Sequence, residues 1–207
     1  DVSGDLIIQG AGSNLTTINA DFIDRVFDIH AQVTISGVTI RNGLADERAG
    51  GGIHNTSNLT LIDVVIVQNN ASAGAGIFNS STGNLFLQNS LVADNHATHY
   101  GGGVYNAPGS QAVIANTTVS GNSALIAGGG FWNGGSADLR NLTIADNAAS
   151  TGGGIFNLPR GDGEHPRNSV RLANSILALN IATATDEDPD PDRGNDCSGA
   201  IASAGHN

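Results

Sequence analysis

Aliphatic residues recur along this chain about every 26 positions and alternate with polar or small residues over three to five positions. One series precedes a polar residue or glycine by two positions in every copy: Ile35, Leu61, Leu87, Ile114, Leu139 and Leu172. A second series follows five positions later: Ile40, Ile66, Val92, Val119, Ile144 and Leu177. Alternation of this kind, without a 3.6-residue period, predicts short β-strands and no helix.

A glycine motif lies between the aliphatic series. Small residues, mostly glycine, are followed five times by an apolar residue, a variable residue and asparagine, and the asparagines are Asn55, Asn79, Asn106, Asn133 and Asn157. Their spacings are 24, 27, 27 and 24 residues. A second asparagine series follows the aliphatic positions: Asn69, Asn95, Asn122, Asn147 and Asn180. A fixed period of this length is typical of a solenoid, in which each repeat stacks on its neighbour.

These patterns predict an all-β fold, a right-handed parallel β-helix of about six to seven turns with three short strands each. Successive turns of such a helix lie about 4.8 Å apart, so equivalent residues form columns. Aliphatic columns then build the core, and asparagine amides hydrogen-bond from turn to turn. We assign residues 1–182 to the β-helix, with 1–32 as an irregular first turn or cap. Residues 183–207 are predicted to be an acidic loop and a C-terminal segment.

Composition narrows the classes of partner. The 207 residues include 29 glycines and carry a formal net charge of −11, with eight arginines and no lysine. Such a charge disfavours nucleic acid and anionic membrane surfaces, and no apolar run is long enough for membrane insertion. The single cysteine, Cys197, has no partner within the chain, so its redox state stays open. The absence of methionine and of a signal segment predicts a piece of a longer chain.

The variable residue of the glycine motif is aromatic or histidine in all five copies. Alternation directs the preceding apolar residue inward and this residue outward, so the sequence predicts an outer column of His54, Phe78, Tyr105, Trp132 and Phe156. We expect a bare strip of glycine backbone beside this column. The strip and the column together would form a platform for a glycan or a protein. The alternative is that the rings only stabilise the sheet by stacking on one another.

Candidate catalytic and metal-binding residues are sparse. No cluster of carboxylates is predicted, and Arg41, Arg140 and Arg171 fall in different turns and registers. An alternative is a lyase or epimerase that uses the 158–168 loop, with Arg160, Asp162, His165 and Arg167. No cofactor is predicted, and the histidines lack metal-ligand spacing. Weak calcium binding is an alternative for the acidic segment that contains Asp186, Asp188, Asp190 and Asp192.

The repeats resemble those of bacterial right-handed β-helix surface proteins. Gly-Gly-x-Ile and Phe-x-x-Asn signatures mark the polymorphic outer-membrane protein family, and here Ile66-Val67-Gln68-Asn69 and Ile144-Ala145-Asp146-Asn147 match the second with an aliphatic residue for Phe. Asp196-Cys197-Ser198-Gly199 is similar to a segment of secreted bacterial β-helix proteins. The resemblance implies a secreted or cell-surface protein. We therefore predict a non-catalytic adhesin or structural domain that binds a glycan or protein; the alternatives are the carbohydrate-active enzyme and a structural subunit of an envelope assembly.

Overall fold

The computed structural model describes residues 1–159, 168–183 and 195–205. These residues form a right-handed parallel β-helix of about six turns, as predicted. The described residues contain strands and turns only, and they include no helix long and apolar enough to cross a membrane.

Four parallel sheets run along the solenoid, and the chain visits them in a fixed order in each turn. The aromatic sheet contains Phe27–Ile29, Ile53–Asn55, Ile77–Asn79, Val104–Asn106, Phe131–Asn133, Ile155–Asn157 and Cys197–Ser198. The broad sheet contains Leu6–Gln9, Val33–Ser36, Asn58–Ile62, Asn84–Gln88, Gln111–Ala115, Ser136–Arg140, Ser169–Ala173 and Ile201–Ser203. The aliphatic sheet contains Thr17–Asn19, Thr39–Arg41, Val65–Val67, Leu91–Ala93, Thr118–Ser120, Thr143–Ala145 and Ile176–Ala178.

The alanine sheet is the fourth and was not predicted. Its strands are Leu44–Ala49, Asn70–Ala73, His96–Tyr100, Ser123–Ala124, Ala148–Ala149 and Ile181–Ala182. The first five strands each bury one alanine, and these alanines form a cluster of their own: Ala45, Ala71, Ala97, Ala124 and Ala149, together with Ala75. A strand that buries a single methyl group produces little hydrophobic alternation, which explains why the sequence pattern did not reveal it.

The main core is built from the predicted aliphatic columns. Ile35, Leu61, Leu87, Ile114 and Leu139 are fully buried one above another in the broad sheet. The aliphatic and aromatic sheets contribute columns headed by Ile40 and Ile53. Strand registers are maintained from turn to turn in the broad, aliphatic and aromatic sheets, so aliphatic residues pack on aliphatic residues in each core column.

Two buried asparagine ladders connect the turns. In the glycine motif, the side chain of Asn55 donates to the Oδ1 of Asn79 at 2.8 Å. The same side-chain hydrogen bond, of 2.8 to 2.9 Å, recurs between successive turns until the series ends at Asn157. In the second series, each Nδ2 from Asn69 to Asn147 donates to the next Oδ1 at 2.9 Å. The predicted amide ladders are therefore present.

Candidate binding surfaces

The predicted aromatic column lies on the outer side of the aromatic sheet. The ring of His54 is 5.4 Å from that of Phe78, Phe78 is 4.9 Å from Tyr105, and Tyr105 is 4.1 Å from Trp132, all measured between centroids. Trp132 then lies 6.2 Å from Phe156. The five side chains thus form one stack that crosses five turns. Beneath them, Ile53 and its equivalents point into the core.

The rings of this column stack face to face, so their faces are covered by neighbouring rings. Trp132 is only 6% exposed, and its Nε1 has no hydrogen-bond partner among the described residues. Burial, with a smaller contribution from Tyr100, raises the pKa of Tyr105 to about 12. Because the faces are occupied, a sugar ring would meet only ring edges along most of the column. This geometry favours the stabilising role, and ligand binding by the column stays a prediction.

The glycines beside the column are buried, which differs from the bare strip that we expected. A Cβ atom on Gly76 would lie 2.5 Å from the carbonyl oxygen of Gly103, and a Cβ on Gly103 would lie 2.6 Å from that of Gly130. Neighbouring turns approach each other too closely here for any side chain. These glycines therefore serve packing between turns, and they do not form an open docking strip.

A groove that the sequence analysis missed runs along the outer face of the broad sheet. Two shallow depressions of about 280 and 300 Å³ adjoin at Gln111 and Val113. One wall is a column of amides and hydroxyls at the strand starts: Asn58, Asn84, Gln111, Ser136 and Ser169. The other wall is formed by the residues two positions further along the same strands: Thr60, Phe86, Val113, Asp138 and Arg171. Four strand spacings of about 4.8 Å give this groove a length of roughly 19 Å.

The middle of the groove combines an open aromatic ring with amides. Phe86 is 37% exposed and Val113 is 40% exposed. In contrast to the column rings, Phe86 has no stacked ring partner among the described residues. Asn84 donates to the Oδ1 of Asn58 at 2.9 Å, which leaves the amide group of Asn58 and the carbonyl oxygen of Asn84 available to a ligand.

Three charged side chains meet at the C-terminal end of the groove. Asp138 accepts from the Nε of Arg140 at 2.8 Å and also from its Nη2, while Arg171 Nη1 is 3.7 Å from Asp138 Oδ1. The hydrogen bond from Arg140 lowers the pKa of Asp138, and both guanidinium charges act in the same direction. The two arginines that seemed unrelated in sequence therefore share one carboxylate, with a net positive charge for the group.

A second charged cluster lies at the N-terminal end of the aromatic column. Asp28 occupies the column position one turn before His54, and its carboxylate contacts Arg25, His30 and His54. Burial opposes ionisation of Asp28, but the hydrogen bond from His54 and the charge of Arg25 outweigh it, so the pKa of Asp28 is lowered.

Several sequence candidates lie outside the described residues. They are Arg160, Asp162, His165 and Arg167 of the predicted lyase site, and Asp186, Asp188, Asp190 and Asp192 of the predicted calcium segment. Cys197 is half-buried in register with Ile155, and burial, with a smaller contribution from Asp196, raises its pKa to about 11. A thiol of this kind is a poor nucleophile at neutral pH.

Comparisons with known proteins leave the family open. No protein-family model matches the chain, and neither the search of curated proteins nor that of solved structures found a match. The fold confirms the resemblance to β-helix repeats at the level of the parallel β-solenoid. The polymorphic outer-membrane type stays a prediction.

Proposed function

We propose that this chain is a non-catalytic β-helix domain of a secreted or cell-surface bacterial protein, and that it binds a glycan along the broad-sheet groove. One observation carries the proposal: the exposed, unstacked ring of Phe86 lies beside free amide groups in an elongated depression. The resemblance of the repeats to bacterial surface proteins supports the location. The fold is compatible with binding and with structural roles.

Glycans suit this groove because their two kinds of surface match its two walls. Sugar hydroxyls pair with amide and hydroxyl side chains, such as those of Asn58, Asn84 and Gln111. The apolar C–H face of a sugar packs against aromatic and aliphatic groups, here Phe86 and Val113. The groove is shallow and elongated, which suits an oligosaccharide chain better than a single buried sugar.

A glycan-array scan of the parent chain and three variants tests this proposal. Phe86→Ala removes the groove's ring from an exposed site, so the fold should tolerate it. Leu125→Ala is the matched control, because Leu125 is 63% exposed on the opposite, alanine-sheet side. A Phe78/Tyr105/Trp132 triple-alanine variant tests the predicted aromatic column, provided that circular dichroism shows it to be folded.

We expect the parent and Leu125→Ala to bind the same glycans and Phe86→Ala to lose at least tenfold in affinity. Loss only in the folded triple variant would reject the groove and assign binding to the column. No glycan bound by the parent would reject the glycan proposal altogether and leave a protein partner as the remaining class.

A structural role in an assembly is the second candidate, and the last regular turn favours it. Three outward positions become apolar in this turn: Ile176, Leu179 and Ile181. The equivalent residues of the preceding turn are Thr143, Asp146 and Ala148. These three apolar side chains are 62%, 73% and 56% exposed. A second copy of the chain would cover them. Light scattering over a range of concentrations should show dimers that an Ile176→Ser/Ile181→Ser variant loses; a parent that stays monomeric throughout would contradict this role.

A further inference from the structure

Three potential metal ligands converge at the N-terminal end of the solenoid, and a fourth, His54, contacts one of them. One ligand atom from each of Asp1, Asp28 and His30 lies within 4.8 Å of the other two. His30 Nε2 is 3.1 Å from Asp28 Oδ1, and His54 Nδ1 is 2.7 Å from the same oxygen. Two imidazole nitrogens from adjacent turns therefore point at one carboxylate oxygen, with a second carboxylate close by.

The surroundings hold these groups in place. Asp28 Oδ2 accepts from Arg25 Nη1 at 2.9 Å, which orients the carboxylate and leaves Oδ1 to the histidines. The ring of His54 is stacked on Phe78, which restricts its rotation. Supporting contacts of this kind preorganise ligands in metal sites.

The second ring nitrogen of His30 contacts a threonine of the next turn. The Thr56 hydroxyl donates to the carbonyl oxygen of Ile29 at 2.9 Å, and His30 Nδ1 is 3.0 Å from the same hydroxyl oxygen. This contact orients the His30 ring, as hydrogen-bond partners do for metal-ligating histidines.

The distances suit a small tetrahedral ion. Bonds of about 2.0 to 2.1 Å to a tetrahedral zinc ion place two ligand atoms about 3.3 Å apart. The His30 to Asp28 distance of 3.1 Å is already close to this value. The His54 to Asp28 distance of 2.7 Å must increase by about 0.6 Å. Two imidazoles with carboxylates favour zinc, nickel or copper over calcium or magnesium, which take oxygen ligands.

We propose that Asp28, His30 and His54, together with Asp1, form a binding site for a divalent transition-metal ion such as Zn²⁺. The site is independent of the broad-sheet groove, which lies on another face. It was missed in the sequence because His30 and His54 belong to different turns. The formal net charge of −11 for the whole chain adds general attraction for a cation.

Calorimetric titration of the folded chain with Zn²⁺ alone tests the site. His30→Ala is the first variant, because His30 is exposed and its loss should leave the fold intact. His54→Ala is the second, with circular dichroism as the folding check. A His96→Ala/His99→Ala variant is the matched control, since these two exposed histidines contact serine and threonine hydroxyls, and neither has a carboxylate partner among the described residues.

We expect one Zn²⁺ per chain, at least tenfold weaker binding in His30→Ala and in His54→Ala, and unchanged binding in the control. Electron paramagnetic resonance of the Cu²⁺-loaded chain should show two coordinated nitrogens, reduced to one in His30→Ala. A parent chain that binds no Zn²⁺ would overturn the proposal. Binding that survives in His30→Ala, or that is lost in the control, would overturn it equally.

Discussion

Asparagine has two separate roles in this fold, and each depends on a different property of the residue. Asn89, Asn116, Asn141 and Asn174 adopt positive φ values of 50° to 55° at the bend after the broad sheet, where a short polar side chain reduces strain. The asparagines of the two ladders are buried and instead supply one donor and one acceptor per turn. The sequence pattern predicted the ladders, whereas the positive φ values at the bend were found in the structure.

Asn122 lies at the centre of the second ladder. Its Oδ1 accepts from the side chain and backbone N–H of Asn95, and its Nδ2 donates to Asn147 Oδ1 and Val92 O. Asn122→Leu would leave several buried polar groups unpaired, at about 1 to 3 kcal/mol each. We expect unfolding to require at least about 3 kcal/mol less and Tm to fall by about 6 °C or more.

Thermal melting monitored by circular dichroism checks this prediction for Asn122. The matched control is Asn84→Ala, which removes an exposed amide ladder contact and should change stability by less than about 0.5 kcal/mol. Equal melting temperatures for the parent and Asn122→Leu would show that the buried ladder contributes little to stability.

Tyr105 provides a pH test of the aromatic column. Its pKa is raised from 10.0 to about 12 in the folded chain, mainly by burial, so folding favours the neutral phenol. The resulting stability is complete below pH 10 and is lost as the pH rises from about 10 towards 12. The phenolate absorbance of the parent minus that of Tyr105→Phe should show a transition near pH 12. A transition near pH 10 would mean that the column is open to water.

At the scale of elements, the corner between the alanine and aromatic sheets depends on glycine. The chain turns from one sheet into the next here, and the glycine at each corner takes a positive φ value of 58° to 73°: Gly50, Gly74, Gly101, Gly128 and Gly152. The following glycines lie against backbone carbonyls of the next turn. The repeated glycines were visible in the sequence, but their steric reason was not, because it depends on the distance between turns.

Gly103→Ala tests this steric requirement without changing a positive φ. Its Cβ atom would meet the Gly130 carbonyl oxygen at 2.6 Å, which forces the turns apart. We expect the free energy of unfolding to fall by about 2 kcal/mol or more, as in overpacked cores. Gly4→Ala is the control, because its Cβ would have no neighbour within 4 Å. Chemical denaturation of both variants gives the comparison, and similar midpoints would refute the packing role.

The end of the second ladder shows how one element completes another. Asn180 donates both its Nδ2, at 2.8 Å, and its backbone N–H, at 3.2 Å, to Asp196 Oδ1. A carboxylate only accepts, so Asp196 ends a ladder whose amides all donate in one direction. The sequence offered Asp196 as part of a family-like segment, but its contact with Asn180 required the fold.

At the scale of the whole molecule, the features that were predictable are those that repeat. The core columns and the ladders recur through most turns, so a single sequence shows them several times. Binding surfaces lie at outward positions, where neighbouring turns need not resemble one another. Phe86 and Val113 belong to one such mixed column, and only the register of the broad sheet places them beside the amide column. The groove and the Asp28 cluster were therefore missed.

Glycan binding in the broad-sheet groove is the central claim, and side-chain amide NMR tests it most directly. The isotope-labelled chain is titrated with a glycan that it binds on the array. We predict shifts of the Asn58, Asn84 and Gln111 side-chain amides, with the indole N–H of Trp132 unchanged. Shifts of the Trp132 indole with silent groove amides would contradict the account and assign the ligand to the aromatic column.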